Sequence, residues 1–254
     1  MPSCCRPVTA RTTTLTDLLL ASIASPLLVA SLLTSLIADD DSSSDPSTSP
    51  YSDGFDWSIP SLNPSNADIV TKPRNQGLCG SCYAFSSLGS LETTLAISTE
   101  VPVTPLSVEE VVDCSTNNLG CTGGNPLLAM EWVSKHGVGL EKDYRYASEG
   151  RGAGEENECK MNHGKTSRAF VDQYAIVQPT VRGIKEALKY STVAVGIDGT
   201  EVGLLGYRSG VYGDRPEEVA ACTDKPLNHA VLIVGWGIDS KGEVRLDERR
   251  QRAA

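Results

Sequence analysis

Two cysteines three positions apart, in Cys79-Gly80-Ser81-Cys82, allow three kinds of chemistry. They could be half of a zinc site, a reversible redox pair, or a nucleophile beside a structural cysteine. Zinc needs a second tight pair of ligands, and Cys114 and Cys121 are too widely spaced, with no histidine nearby. A redox pair of the thioredoxin type follows a buried strand within a βαβ unit. Here the preceding run is polar, Lys72-Pro73-Arg74-Asn75-Gln76-Gly77. The nucleophile reading fits better, because Cys82 falls in the first turn of an expected helix, where the helix dipole and unpaired amides favour a thiolate. A purely structural cysteine and a metal or redox role stay as alternatives. The chain has three histidines, His136, His163 and His229, so the choice of base is narrow.

The elements that must hold these residues can be read from periodicity. Ser81 to Ile97 reads as a helix, with Ala84, Leu88, Leu91 and Leu95 recurring on one face. Ser107-Val108-Glu109-Glu110 is a capping box opening a short helix to about Asp113. Leu127 to Lys135 forms a third helix, stopped by Gly137. Beyond about residue 165 the pattern changes to strands over Ala169–Ile176, Val193–Ile197 and Ala230–Trp236, with a helix, Val181–Lys189, between the first two. His229 opens the last of these runs, which would make its position rigid. Helices first and strands later imply an α+β chain of two lobes with a cleft between them.

The chain has 254 residues, 40% hydrophobic and 21% charged, enough for a sizeable core. A net charge of −10 argues against a nucleic-acid partner, since such proteins need surplus cations. Eight cysteines point to disulfides or a metal site. Residues 1–38 read as an apolar N-terminal segment. Leu15 to Ala38 is almost uncharged behind Arg6 and Arg11, the pattern of a secretory signal or signal anchor, with Ser22-Ile23-Ala24 as a small-residue cleavage site. Membrane contact is expected only through this segment, if it is not cleaved. Residues 39–54 form an acidic Ser/Pro linker expected to be disordered. Residues 55–254 are globular, with a helical lobe over about 60–165, a β lobe over about 166–244 and a charged tail over 243–254. Cys4 and Cys5 lie outside the folded part and are read as spectators.

The segment Gln76-Gly77-Leu78-Cys79-Gly80-Ser81-Cys82-Tyr83-Ala84-Phe85 resembles the active-site segment of the papain-like cysteine peptidases, the cathepsins and their plant relatives. Its cysteine pattern followed by Trp or Tyr is that family's known signature. The resemblance continues, in the family's order, through Val111-Val112-Asp113-Cys114, Gly120-Cys121-Thr122-Gly123-Gly124, Leu227-Asn228-His229-Ala230 and Val234-Gly235-Trp236-Gly237, and covers roughly Asp56 to Gly242. It implies a two-lobed papain-like fold and a cysteine-type endopeptidase acting on proteins or peptides. It implies no cofactor and no metal, protein inhibitors of cysteine peptidases as further partners, and a secretory, lysosomal, vacuolar or extracellular location. By this resemblance Cys82 attacks as a thiolate, His229 shares its proton across the cleft, and Gln76 donates its amide to the oxyanion beside the Cys82 N–H. His136 and His163 receive no role. Cys79 pairs with Cys121 and Cys114 with Cys159. Gly123 and Gly124 offer backbone hydrogen bonds to an extended substrate. Asn125, Pro126, Gly196, Leu227 and Ala230 line the pocket for the side chain two residues before the scissile bond, which is expected to be Leu, Val or Phe.

The resemblance breaks near the end. Family members orient the histidine with an Asn-Ser-Trp-Gly motif, whereas no asparagine follows Asn228. Asp247 or Glu248 could be proposed as substitutes, but a solvated charged tail is the expectation. Cys222 is expected to lack its partner, and the linker before Phe55 is too short for the family's inhibitory pro-region. The sequence therefore reads as an incomplete version of an active peptidase, without the last strands expected to flank Val231–Trp236. A catalytically impaired relative is the alternative.

Overall fold

The computed structural model describes residues 54–155, 157–161, 168–199, 227–238, 244–249 and 252–253, and a strand at 8–14. The apolar run from Leu15, the acidic linker before Gly54, Cys4, Cys5, His163 and Cys222 lie outside the described residues. The described elements are β1 (Val8–Thr14), β2 (Gly54–Asp56), β3 (Asn75–Gly77), α1 (Cys82–Thr99), α2 (Val108–Cys114), α3 (Pro126–His136), β4 (Gln173–Val177), α4 (Val181–Leu188), β5 (Val193–Ile197), β6 (His229–Ile238), β7 (Val244–Arg249) and β8 (Arg252–Ala253). No helix among the described residues is long and apolar enough to cross a membrane.

Two apolar clusters organise this chain. The first gathers α1, α2 and α3 through Leu88, Leu91, Val111, Ala129 and Val133, and takes in Ala169 and Val171. The second joins the strands and α4 through Ile184, Leu188, Val193, Val195, Val231 and Ile233. Phe55, Trp57, Ile69 and Val70 belong to this second cluster, so the segment from about residue 60, expected in the helical lobe, packs partly on the strand side. The Trp57 indole fixes it there by donating to the Leu188 carbonyl at 2.8 Å.

Helix α1 is buried on nearly every face and lies between the clusters. Its apolar stripe faces the helical side, while its small residues let the sheet approach closely. A Cβ on Gly89 would stand 2.9 Å from Leu232 Cδ2. Ser90 donates to the Thr192 carbonyl at 2.8 Å, and Thr94 and Ser191 share a hydrogen bond of 2.6 Å. These bonds satisfy hydroxyls that would otherwise be buried at a cost.

The second lobe is a sheet in which every pairing is antiparallel, ordered β2-β6-β5-β1-β4 with β7 also on β6. Strand β6 is its centre, pairing β5 from Ile197↔His229 to Val193↔Ile233, and β2 from Asp56↔Gly235 to Gly54↔Gly237. Three strands differ from expectation. Val8–Thr14, which includes the basic flank Arg11, runs between β4 and β5, and its valine and threonines are residues that favour extended backbone. The charged end is also not a solvated tail throughout. Val244–Arg249 pairs with β6, placing Val244 opposite Ile238 and Leu246 opposite Trp236, and Arg252–Ala253 runs parallel to β3. A partner strand satisfies backbone groups whatever its side chains, so charge alone did not exclude a ladder.

Candidate active site

Cys82 is the first residue of α1. Ser81 occupies the N-cap position but makes no side-chain cap bond, so the first amides of the helix stay available. Among the described residues Cys82 is the free cysteine. Burial pushes its thiol above the ordinary range, opposed by hydrogen bonds from the backbone N–H groups of Ala230, Tyr83 and Cys82 itself. The Ala230 amide brings the start of β6 against the sulfur.

That contact also positions His229, the residue before it. His229 lies opposite Ile197 in the β5–β6 ladder. The turn leading into it is tied down, since Asn228 N–H donates to the Ile197 carbonyl at 3.1 Å and Asn228 Oδ1 accepts from Gly199 N–H at 2.7 Å. Gly199 backs directly onto the histidine, because a Cβ there would come within 2.6 Å of His229 Cβ. Nothing in the sequence pattern marked Gly199, whose role appears only once β5 and β6 are paired. Asp247 and Glu248 stand opposite Gly235 and Ile233, well along β6 from His229.

Gln76 is 6% exposed and lies in β3, not in an open loop. Its Nε2 donates to the Cys79 carbonyl at 2.9 Å, which fixes the amide's orientation, and its buried Oε1 has no hydrogen-bond partner. The following turn requires glycine. Gly77 has φ +63°, and a Cβ there would overlap the Glu149 carbonyl, which accepts from Leu78 N–H at 2.8 Å.

The remaining predicted positions form two groups. Gly123, at φ +132°, is open to solvent on its missing-Cβ side, whereas Gly124 is pressed against Asn118 and Tyr83. Asn118 Oδ1 accepts from Asn125 N–H at 2.8 Å, and Asn125 Oδ1 in turn caps α3 at Leu127 N–H, with Pro126 in its first turn. Gly196 and Ala230 are direct partners across β5 and β6, and Leu227 immediately precedes β6. Cys79 is bonded to Cys121, and Cys114 to Cys159. His136 closes α3, where its ring stacks on Trp132 and its Nδ1 lies 3.0 Å from the Trp132 carbonyl, away from Cys82.

Behind α2 is a buried ionic network. Ser107 Oγ accepts from Glu110 N–H at 3.0 Å, but the Glu110 carboxylate does not close the box. It accepts instead from Gly139 N–H at 2.7 Å and from Arg168 at 2.8 Å. Glu109 accepts from Ala147 N–H, from Ser148 Oγ and from Arg151. Glu109, Glu110, Gly139 and Arg168, with Asp113, line a cavity of about 400 Å³. Every carboxylate that α2 contributes to it has a partner. Among the described residues no group of His, Cys, Asp and Glu could hold a metal ion.

A free cysteine at a helix start, a strand beginning with histidine brought against it, and disulfides on the helical side make a papain-like arrangement. The profile described as "Papain family cysteine protease" matches residues 52–246, and the chain belongs to that family. It is 34% identical over 188 residues to the viral cathepsin of Bombyx mori nuclear polyhedrosis virus, covering 73% of this chain and 51% of the relative. It is 31% identical over 211 residues to human cathepsin O, covering 76% and 60%. The chain thus spans about half the length of the viral cathepsin it matches. Among solved structures it is similar to the bromelain protease from Ananas comosus in complex with the E64 inhibitor, with TM-score 0.62, 28% identity, and coverage of 77% of this chain and 81% of that one. The fold is the α+β papain fold.

Proposed function

We propose that the chain is a cysteine-type endopeptidase that works through Cys82 and His229. The observation that carries this reading is the amide of Ala230 directed at the Cys82 sulfur, which puts the strand led by His229 against a free thiol at a helix N-terminus. In the reaction the Cys82 thiolate attacks the peptide carbonyl carbon, and the carbonyl oxygen takes the negative charge. Gln76 Nε2 and the Cys82 N–H donate to that oxygen. Collapse expels the amine, which takes its proton from the His229 imidazolium and leaves a thioester. Water, deprotonated by His229, then hydrolyses the thioester and restores the thiol. Removing one donor to such an oxyanion typically lowers the rate ~10²–10³-fold.

Gly123 and Gly124 are assigned to the substrate backbone, and Asn125, Pro126, Gly196, Leu227 and Ala230 to an apolar pocket for Leu, Val or Phe. The disulfides and the cathepsin relatives are consistent with a secretory or lysosomal route, which we extend to the vacuole and the cell exterior. Protein inhibitors of cysteine peptidases are the further partners of such a site. Titration with an epoxide of the E64 type tests the assignment. One equivalent should label Cys82 and abolish hydrolysis of a fluorogenic dipeptide with Leu before the cleaved residue. Labelling without any turnover would favour a catalytically impaired relative. Equal rates with Arg and Leu at that position would overturn the pocket assignment.

A further inference from the structure

We infer that Tyr146 is a positioning residue that sets the spacing of the oxyanion donors, an inference that rests on the role proposed for Gln76. The Tyr146 hydroxyl donates to the Gln76 carbonyl at 2.8 Å and lies 2.7 Å from Ser81 Oγ. A carbonyl only accepts, so the single phenolic hydrogen is committed to Gln76, and Ser81 must donate to the phenol oxygen. One hydroxyl therefore bridges the backbone of Gln76 to the residue immediately before Cys82. These two segments carry the two proposed donors, the Gln76 amide and the Cys82 N–H.

The phenol is itself held in place. Its ring meets Phe85 edge-on at 4.9 Å between centroids, and Tyr146 N–H donates to Glu141 at 2.9 Å. Glu141 is paired with Arg74, two residues before Gln76. Ser81 makes no cap bond to α1 although it stands at the N-cap position, so Tyr146 is the partner its hydroxyl has here. Catalytic groups act well only when held within a fraction of an ångström of the productive geometry. The role of Tyr146 is therefore assigned through Gln76, whose carbonyl it holds.

A double-mutant cycle on the full chain tests this, using Tyr146→Phe, Gln76→Ala and both together. Tyr146→Phe keeps the ring and removes the bridge. It should lower kcat on the Leu-containing dipeptide about tenfold, a fraction of the ~10²–10³ lost with a whole donor, and leave KM within about twofold. In the Gln76→Ala background the same change should have less than about a twofold effect. Alkylation of Cys82 by iodoacetamide develops no oxyanion, so its rate should not change in Tyr146→Phe. Equal losses of kcat in both backgrounds, or a parallel loss of alkylation rate, would overturn the inference and make Tyr146 a structural residue. A Gln76→Ala variant with undiminished kcat would remove the oxyanion role itself, and the inference with it. The same cycle read as affinity for a Leu-containing dipeptide aldehyde, whose thiol adduct carries the equivalent tetrahedral oxygen, decides the matter without turnover.

Discussion

Burial and hydrogen bonding pull Cys82 in opposite directions. Desolvation raises the thiol, and the amides of Ala230, Tyr83 and Cys82 only partly offset it. The local backbone alone therefore does not favour a thiolate at neutral pH, and the proposed mechanism needs a cationic partner to hold one. This gives a sign to the role proposed for His229. In the native chain iodoacetamide should alkylate Cys82 rapidly at neutral pH. In His229→Ala the rate should follow one ionisation above the ordinary thiol range, falling about tenfold for each pH unit below it. A neutral profile left unchanged by the substitution would show that the imidazole does not hold the thiolate. At this scale the sequence singled out Cys82 and His229 as candidates because the chain has only three histidines and the neighbours of both residues are distinctive. Gln76 was harder to read. A glutamine in a polar run looks solvated, and its burial follows from β3 and from the Cys79 carbonyl, which depend on contacts far along the chain.

Helix α1 shows why a periodic pattern can be right and incomplete. Its leucine stripe correctly announced a helix but said nothing of Ser86, Ser87, Ser90, Thr93 and Thr94, which are buried as well. Small hydroxylated residues are the ones that let a helix meet a sheet closely, their hydroxyls bonding to the helix's own carbonyls or across the junction. Helix α2 carries a similar lesson. The capping box predicted its start, yet the buried Glu110 carboxylate bonds to Arg168 and Gly139 N–H instead of closing the box. Its neighbour Glu109 is 1% exposed and accepts from Arg151, Ala147 N–H and Ser148 Oγ. Removing Glu109 leaves Ala147 N–H and Ser148 Oγ without their acceptor and Arg151 with Asp113 as its remaining carboxylate partner, which costs about 1–3 kcal/mol. Glu109→Ala should therefore lower the unfolding free energy in urea by about that amount. A loss under about 1 kcal/mol would place the pair among weak surface bridges.

The two clusters share one helix, and that decides how the molecule should unfold. Leu88 and Leu91 of α1 belong to the helical cluster, while Ala96 of the same helix belongs to the strand cluster and Gly89 rests on Leu232. The sequence suggested two lobes from the change of periodicity near residue 165, and its short-range patterns could not show that residues 55–70 and α1 tie them together. Both disulfides lie on the helical side, each worth about 2–4 kcal/mol there, so a two-lobed chain with independent lobes would melt in two steps, strands first. Shared packing of α1 argues for one step instead, because exposing either face of the helix disrupts the other cluster. Leu88→Ala, at a fully buried position, should cost about 2–5 kcal/mol. Calorimetry should show that cost as a lower midpoint of a single transition, with the calorimetric enthalpy still equal to the van't Hoff value. A transition that splits, leaving the strand-side component at its original temperature, would mean that the clusters fold independently and that α1 is a helical-lobe element alone.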